Sequence, residues 1–240
     1  MAAAGDADRP TLLAPRERRR RNRDLVVVAI LDAARAVIRE RGVADLSLRE
    51  VARRVSMQAP SLYEYFPSKM ALYDALFLAG FRLFRARLER DVLGTAPFWE
   101  MLRTHFEAYM GFARENPDLY QILFEHPVPG FVPSAESMAE GVPLLDRFTQ
   151  RIAEAIGSGE IAPGLSAGQA RDLAIALMHG ITSQHLANDD DGAPGSGRYG
   201  GLIGPAIAVL RAAWTPAGTP GAPAAPEHEP ARPTSDDEGR

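Results

Sequence analysis

The chain of 240 residues contains no cysteine. That absence removes disulfides, thiolate zinc sites, iron–sulfur clusters and cysteine nucleophiles together, and it fits a reducing compartment. No apolar run approaches the ~20 residues of a membrane helix. The opening MAAAGDADRPTLL places acids before Arg9 and has no apolar core of signal-peptide length. A cytoplasmic protein is expected. Catalytic signatures are missing as well: there is no G-x-S-x-G, no G-x-x-x-x-G-K-[ST] and no H-E-x-x-H. His105, His126, His179 and His185 are scattered, and the last two fall near opposite faces of one helix. Asp189 to Asp191 lacks the alternating acid spacing of a calcium loop. No enzyme, metal site or cofactor is expected.

Charge is present but unevenly spread. Residues 1–90 carry 18 Lys and Arg against 11 Asp and Glu, whereas residues 91–240 carry 9 against 20. A basic first third on an acidic remainder suits a polyanionic partner. Six arginines concentrate in RERRRRNR at 16–23. That run reads either as an arm that tracks a nucleic-acid backbone or as a solvated, flexible tail.

From Asp24 onward helical periodicity dominates the chain. Leu25, Val28, Ile30, Leu31, Ala34, Val37 and Ile38 predict a helix over 24–41, with Asp24 as its N-cap and Gly42 as its C-cap. Ser47 and Glu50 have capping-box spacing and open a short helix to Val55. APSLYEYF gives a third, with Pro60 in its first turn. A long amphipathic helix is expected over 70–92. Further helices are expected near 97–115, 117–125, 139–157, 166–188 and 199–214, separated by Pro- and Gly-rich breaks. From Thr215 on, six prolines and three glycines fall in 26 residues, a disordered composition. The expected fold is all-α: a disordered basic arm (1–23), a three-helix head with its connecting helix (24–84), a larger helical bundle (85–214) and a Pro-rich tail (215–240).

Two short helices joined by a tight turn and packed on a preceding helix form a helix-turn-helix unit. Val51, Ala52 and Val55 supply the apolar face of its first helix, and Leu62 and Phe66 anchor the second. The stretch LREVARRVSMQAPSLYEYFPSKMALYDALF resembles the DNA-binding domain of the TetR/AcrR family of bacterial one-component regulators. It matches at Leu48, Val51, Ala52, Leu62, Tyr63, Phe66, Pro67, Ser68, Lys69 and Leu72. The turn departs from the family pattern, with Ser56 where glycine is usual. The resemblance implies that Gln58, Ala59, Pro60, Ser61, Tyr63 and Tyr65 face DNA, that Lys69 contacts phosphate, and that Ser47 and Arg49 approach the backbone.

The same resemblance implies a ligand-responsive regulator, most often a repressor, that releases its operator when a small and often hydrophobic molecule fills the second domain. Candidates for that site are Phe106, Tyr109, Met110, Tyr120, Phe124, Phe148 and His179, although aromatic residues at helical spacing also serve as plain core. Helices 166–188 and 199–214, with broad apolar surface and interspersed Ala and Gly, are expected to pair with their copies in a homodimer. A two-fold dimer would hold two reading helices one DNA turn, ~34 Å, apart. A bacterial, nucleoid-associated protein with no membrane partner is implied.

Overall fold

The computed structural model describes residues 14–91, 96–188 and 192–215. The first thirteen residues of the expected arm, Asp189 to Asp191 and the tail beyond Thr215 lie outside the described residues. Helix α1 (Pro15–Arg41) starts well ahead of Asp24, so the expectation of a disordered arm is corrected for residues 14–23: the Arg run is helical, and Asp24 is an interior residue rather than a cap. Pro15 sits in the first turn, Arg18 N–H donates to Ala14 O at 2.9 Å, and arginine is a good helix former. The apolar segment beyond Asp24 supplies the nucleus from which the run extends. At its other end Gly42, at φ +86°, donates its N–H to Ile38 O at 2.8 Å, as expected for a helix stop.

The head closes around a small core. Ile30, Ala34, Val37 and Ile38 of α1 meet Leu48, Val51 and Ala52 of α2 (Leu48–Arg54) and Leu62 of α3 (Ala59–Tyr63). The capping box expected of Ser47 and Glu50 is not formed, because Glu50 is taken by arginines: Arg53 at 2.7 Å, Arg54 at 3.1 Å and Arg41 at 3.4 Å. Arg53 and then Arg54 hold the Glu50 carboxyl down at about 2. Between α2 and α3, Ser56 adopts φ +55°, the strained conformation that the missing glycine would relieve.

Helix α4 (Lys69–Asp91) belongs to both halves of the molecule. Its first turns, with Leu72, Tyr73 and Leu76, complete the head core, and the Tyr73 hydroxyl donates to Val43 O at 2.6 Å. It passes residue 84 without a break and packs on α5 (Phe98–Glu115) and α6 (Pro117–Tyr120), which continues into a π turn at Gln121–Glu125. His126, at φ +48°, ends that turn. Helices α7 (Ala135–Ala139), α8 (Val142–Gly157), α9 (Ala167–Asn188) and α10 (Ile203–Trp214), the last preceded by a 3-10 turn at Gly200–Leu202, finish the bundle. Ser134 caps α7 and ties its start to α4 through Asp74, at 2.7 Å from its N–H and 2.9 Å from its hydroxyl.

One polar joint links head and bundle. The side chain of Asp118, at the start of α6, is fully buried and accepts from Arg35 Nε (2.6 Å) and Arg39 Nε (2.9 Å) of α1. Arg35 also donates to Asn116 Oδ1 at 2.7 Å. No strand occurs among the described residues, and no described helix is long and apolar enough to cross a membrane.

Candidate nucleic-acid interface and internal cavity

Leu62 of α3 and Phe66, three residues past its end, are buried, as the apolar spacing predicts. The opposite side carries Gln58, Pro60 and Tyr63, all exposed, with Ala59 and Ser61 half-buried beside them. Tyr63 is 48% exposed, unusual for a large aromatic residue that packs against nothing outside the head. Tyr65 departs from the expectation. It is half-buried, packs against the head core and lies under the Arg23 guanidinium, 4.8 Å from its ring centroid. It lies in the turn beyond α3, where its N–H donates to Leu62 O at 3.0 Å, and its ring meets Arg23 of α1. Arg23 also donates to Glu64 O at 3.4 Å, so the end of the Arg run is fastened to the end of α3.

Ser47 and Arg49 are exposed at the start of α2. Lys69 is half-buried. Its ammonium donates to Ala44 O at 2.8 Å and sits 5.5 Å from the Tyr73 ring. It therefore fixes the α1–α2 loop while standing at the N-terminus of α4, which Ser68 caps by accepting from Ala71 N–H at 3.1 Å. A helix N-terminus with a lysine beside it favours an anion. Exposure, an aromatic hydroxyl, amide and hydroxyl side chains, and nearby cations fit backbone and base-edge contacts to a duplex.

Inside the bundle lies a cavity of about 390 Å³. Four of the seven sequence candidates line it: Tyr109, Phe124, Phe148 and His179. Phe106, Met110 and Tyr120 do not; each is wholly enclosed in the core, where close packing between helices fills the space around it. Tyr120 still touches the site, because its hydroxyl lies 3.1 Å from His179 Nδ1, with the Tyr109 hydroxyl at 3.0 Å from the same atom. Burial raises the pKa of both phenols, Tyr120 to about 12.

Three walls escape a reading of the sequence. Phe81, Phe84 and Leu88 of α4 face the cavity at i, i+3 and i+7 spacing, a stripe hidden inside an ordinary amphipathic helix. Met138, Val142 and Leu145 line the α7–α8 end and are exposed, so this end opens to solvent. His105 stacks on Phe148 at 4.8 Å with an 11° interplanar angle, and its Nδ1 is enclosed without a hydrogen-bond partner. Burial pushes its pKa down to about 4. The signal for it in the sequence is the i, i+4 pair of His105 and Tyr109 on α5, which carries no meaning when histidines are weighed only as metal ligands. Gly141 lines the cavity too; a Cβ there would stand 3.0 Å from the Phe81 ring, which would have to shift by a few tenths of an ångström to admit it.

Comparison with known proteins shows the same two-part division. The family model for bacterial regulatory proteins of the tetR family matches residues 30–76. A second, for a Tetracyclin repressor-like C-terminal domain, matches residues 102–195. An HTH-type transcriptional regulator of Mycobacterium tuberculosis is 27% identical over 147 residues, which are 60% of this chain and 63% of that protein. The match thus spans less than two thirds of the relative's length. The solved structure of FadR from Bacillus subtilis, in complex with stearoyl-CoA, has a TM-score of 0.62 at 21% identity, covering 78% of this chain and 98% of that one. AibR, solved with isovaleryl coenzyme A and operator DNA, has a TM-score of 0.60 at 21% identity, with 77% and 97% covered. At these identities the two structures speak for the fold. With both family models matched in order, and the helix-turn-helix head and helical bundle observed where they fall, the chain belongs to the TetR family of bacterial regulatory proteins.

Proposed function

We propose that the chain is a sequence-specific, DNA-binding transcriptional repressor without enzymatic activity, acting on the bacterial nucleoid as a homodimer and releasing its operator when a small, mainly apolar effector fills the cavity. The observation that carries this reading is the sharing of α4: its first turns pack on α1 and bond Val43 O through Tyr73 in the head, and its Phe81, Phe84 and Leu88 form a cavity wall. Gln58, Ala59, Pro60, Ser61 and Tyr63 read base edges; Ser47, Arg49 and Lys69 hold the backbone. Tyr65 supports the reading helix from behind. Tyr109, Phe124, Phe148 and His179 meet the effector directly, and Tyr120 acts through His179.

The dimer reading is supported by apolar and small residues left open on the last two long helices. Leu173, Ala176, Gly180 and Ala187 are exposed along α9, and Pro205, Ala208 and Val209 along α10, with Val209 66% exposed. Such a strip on two adjacent helices suits a self-complementary two-fold contact. Two of the structurally similar proteins were solved with acyl-CoA compounds. A cavity of about 390 Å³ holds roughly 15 non-hydrogen atoms at protein-like packing density. That suits a short acyl or aromatic group better than a stearoyl chain.

A gel-shift titration against the DNA upstream of the protein's own gene tests the reading. Tyr63→Ala should lose at least about tenfold in operator affinity, the size of one good groove contact, while gel filtration still reports a dimer. Undiminished operator affinity in Tyr63→Ala would remove α3 as the reading helix.

A further inference from the structure

The walls of the cavity are aliphatic and aromatic, and its lining includes no Lys, Arg, Asp or Glu. Its polar groups are one phenol, Tyr109, and two imidazoles, His105 and His179. We infer that the effector site is selective for an uncharged carbonyl compound (a ketone, ester, thioester or amide), whose oxygen accepts a hydrogen bond from Nε2 of His179 while its apolar part packs on Phe84, Phe124 and Phe148. This rests on the reading of the cavity as the effector site.

The direction of that hydrogen bond is set by the network behind it. Both hydrogen bonds of His179 run through Nδ1, to the hydroxyls of Tyr109 and Tyr120. Burial keeps both phenols protonated at neutral pH, so each hydroxyl needs an acceptor. With Nδ1 as acceptor, the phenols donate to the ring nitrogen that both hydroxyls reach. With Nδ1 as a donor, neither hydroxyl has another hydrogen-bonded acceptor among the described residues, which is costly. Nδ1 therefore accepts, and the ring N–H lies on Nε2, the nitrogen left for an occupant. An N–H there recognises an acceptor oxygen, not another donor.

The exclusion of anions has separate grounds. A carboxylate placed against His179 would shed hydration with no Lys or Arg in the lining to replace it. His105 supplies none, since burial holds its pKa near 4 and the ring is uncharged at neutral pH. An uncharged carbonyl meets none of these penalties and still satisfies the free N–H.

Three near-isosteric probes separate the possibilities: 2-ethylnaphthalene, which is apolar, 2-acetylnaphthalene, which adds a neutral carbonyl, and 2-naphthoate, which adds an anion. Their dissociation constants are measured by calorimetry on the intact protein at pH 7.5. The acetyl compound should bind on the order of tenfold tighter than the ethyl compound, the worth of one net hydrogen bond. Naphthoate should bind at least about a hundredfold more weakly than the ketone. The acetyl preference should vanish in His179→Phe and be partly restored in His179→Gln, which keeps a donor; circular dichroism reports whether each variant folds. Equal affinity of the ketone and ethyl compounds in the wild type would overturn the hydrogen-bond assignment, and naphthoate binding as tightly as the ketone would overturn the selection for an uncharged group. Both outcomes would leave the cavity itself established. Failure of all three probes to bind would overturn the cavity reading and this inference with it.

Discussion

The buried joint between α1 and α6 allows a sharp test. Asp118 contributes its carboxylate, fully buried, and accepts from Arg35 through two contacts, at 2.6 and 3.4 Å, and from Arg39 at 2.9 Å. Asp118→Asn keeps the volume and one acceptor but removes the charge. Breaking a buried pair by deleting one partner costs about 3–5 kcal/mol when the stranded charge has no access to water. Here the stranded arginines keep some: the side chain of Arg35 is 20% exposed and that of Arg39 47%. Partial hydration lowers the expected loss to about 2 kcal/mol, which corresponds to a fall in Tm of about 4–8 °C for a chain of this size. Urea denaturation gives the first number. A double-mutant cycle with Arg35→Gln should return a coupling of about 1–2 kcal/mol, and one with the more exposed Arg39→Gln about 0.5 kcal/mol. A loss below about 0.5 kcal/mol for Asp118→Asn, or coupling to Arg39 as large as that to Arg35, would refute the reasoning from burial.

Removal of residues 1–23 should weaken DNA binding and flatten its dependence on salt, by about 0.9 in the log–log slope for each phosphate no longer neutralised; an unchanged slope would make the helical Arg run a solvated extension. His105 makes the folded state acid-sensitive. Its folded pKa lies near 4, below the ordinary value of 6.5, so the unfolded chain takes up the proton first and stability falls as pH drops from about 6.5 to about 4, by up to about 3 kcal/mol. His105→Phe should flatten that part of the stability profile, and superimposable profiles would dismiss the effect. Ser56→Gly, at a φ of +55°, should raise the unfolding free energy by about 1 kcal/mol, whereas a lower value would show that the serine side chain, not the backbone, governs the turn.

The head is legible in the sequence because its determinants are local. Leu62 turns inward with α3, Phe66 follows because its N–H bonds Leu62 O, and Ser56 announces its strain by standing where glycine is usual. Tyr65 is misplaced by the sequence because its partner, Arg23, is distant along the chain and lies in a run that reads as a disordered arm. The cavity is half legible for a related reason. Periodicity identifies which residues of a helix face inward, but not where inward-facing residues fail to meet. Phe106, Met110 and Phe148 look alike on paper; only the crossing of α5, α8 and α9 decides that two are sealed in the core and one borders a space. The contribution of α4 cannot be read from α4 alone, since Phe84 serves at once as core for Phe112 and as wall beside Phe124.

The length of α4 also sets a scale. Its 23 residues make a rod about 34 Å long, anchored in the head at Lys69, which bonds Ala44 O, and gripped further along by the aromatic residues of the bundle. Pivoted at the far end, a tilt of only about 5° swings the Lys69 end through about 3 Å, by the geometry of a rod of that length. That is close to the ~3.4 Å between successive charges on one DNA strand. An adjustment of the bundle no larger than the give of a few side chains is thus a whole step of register when measured along a duplex.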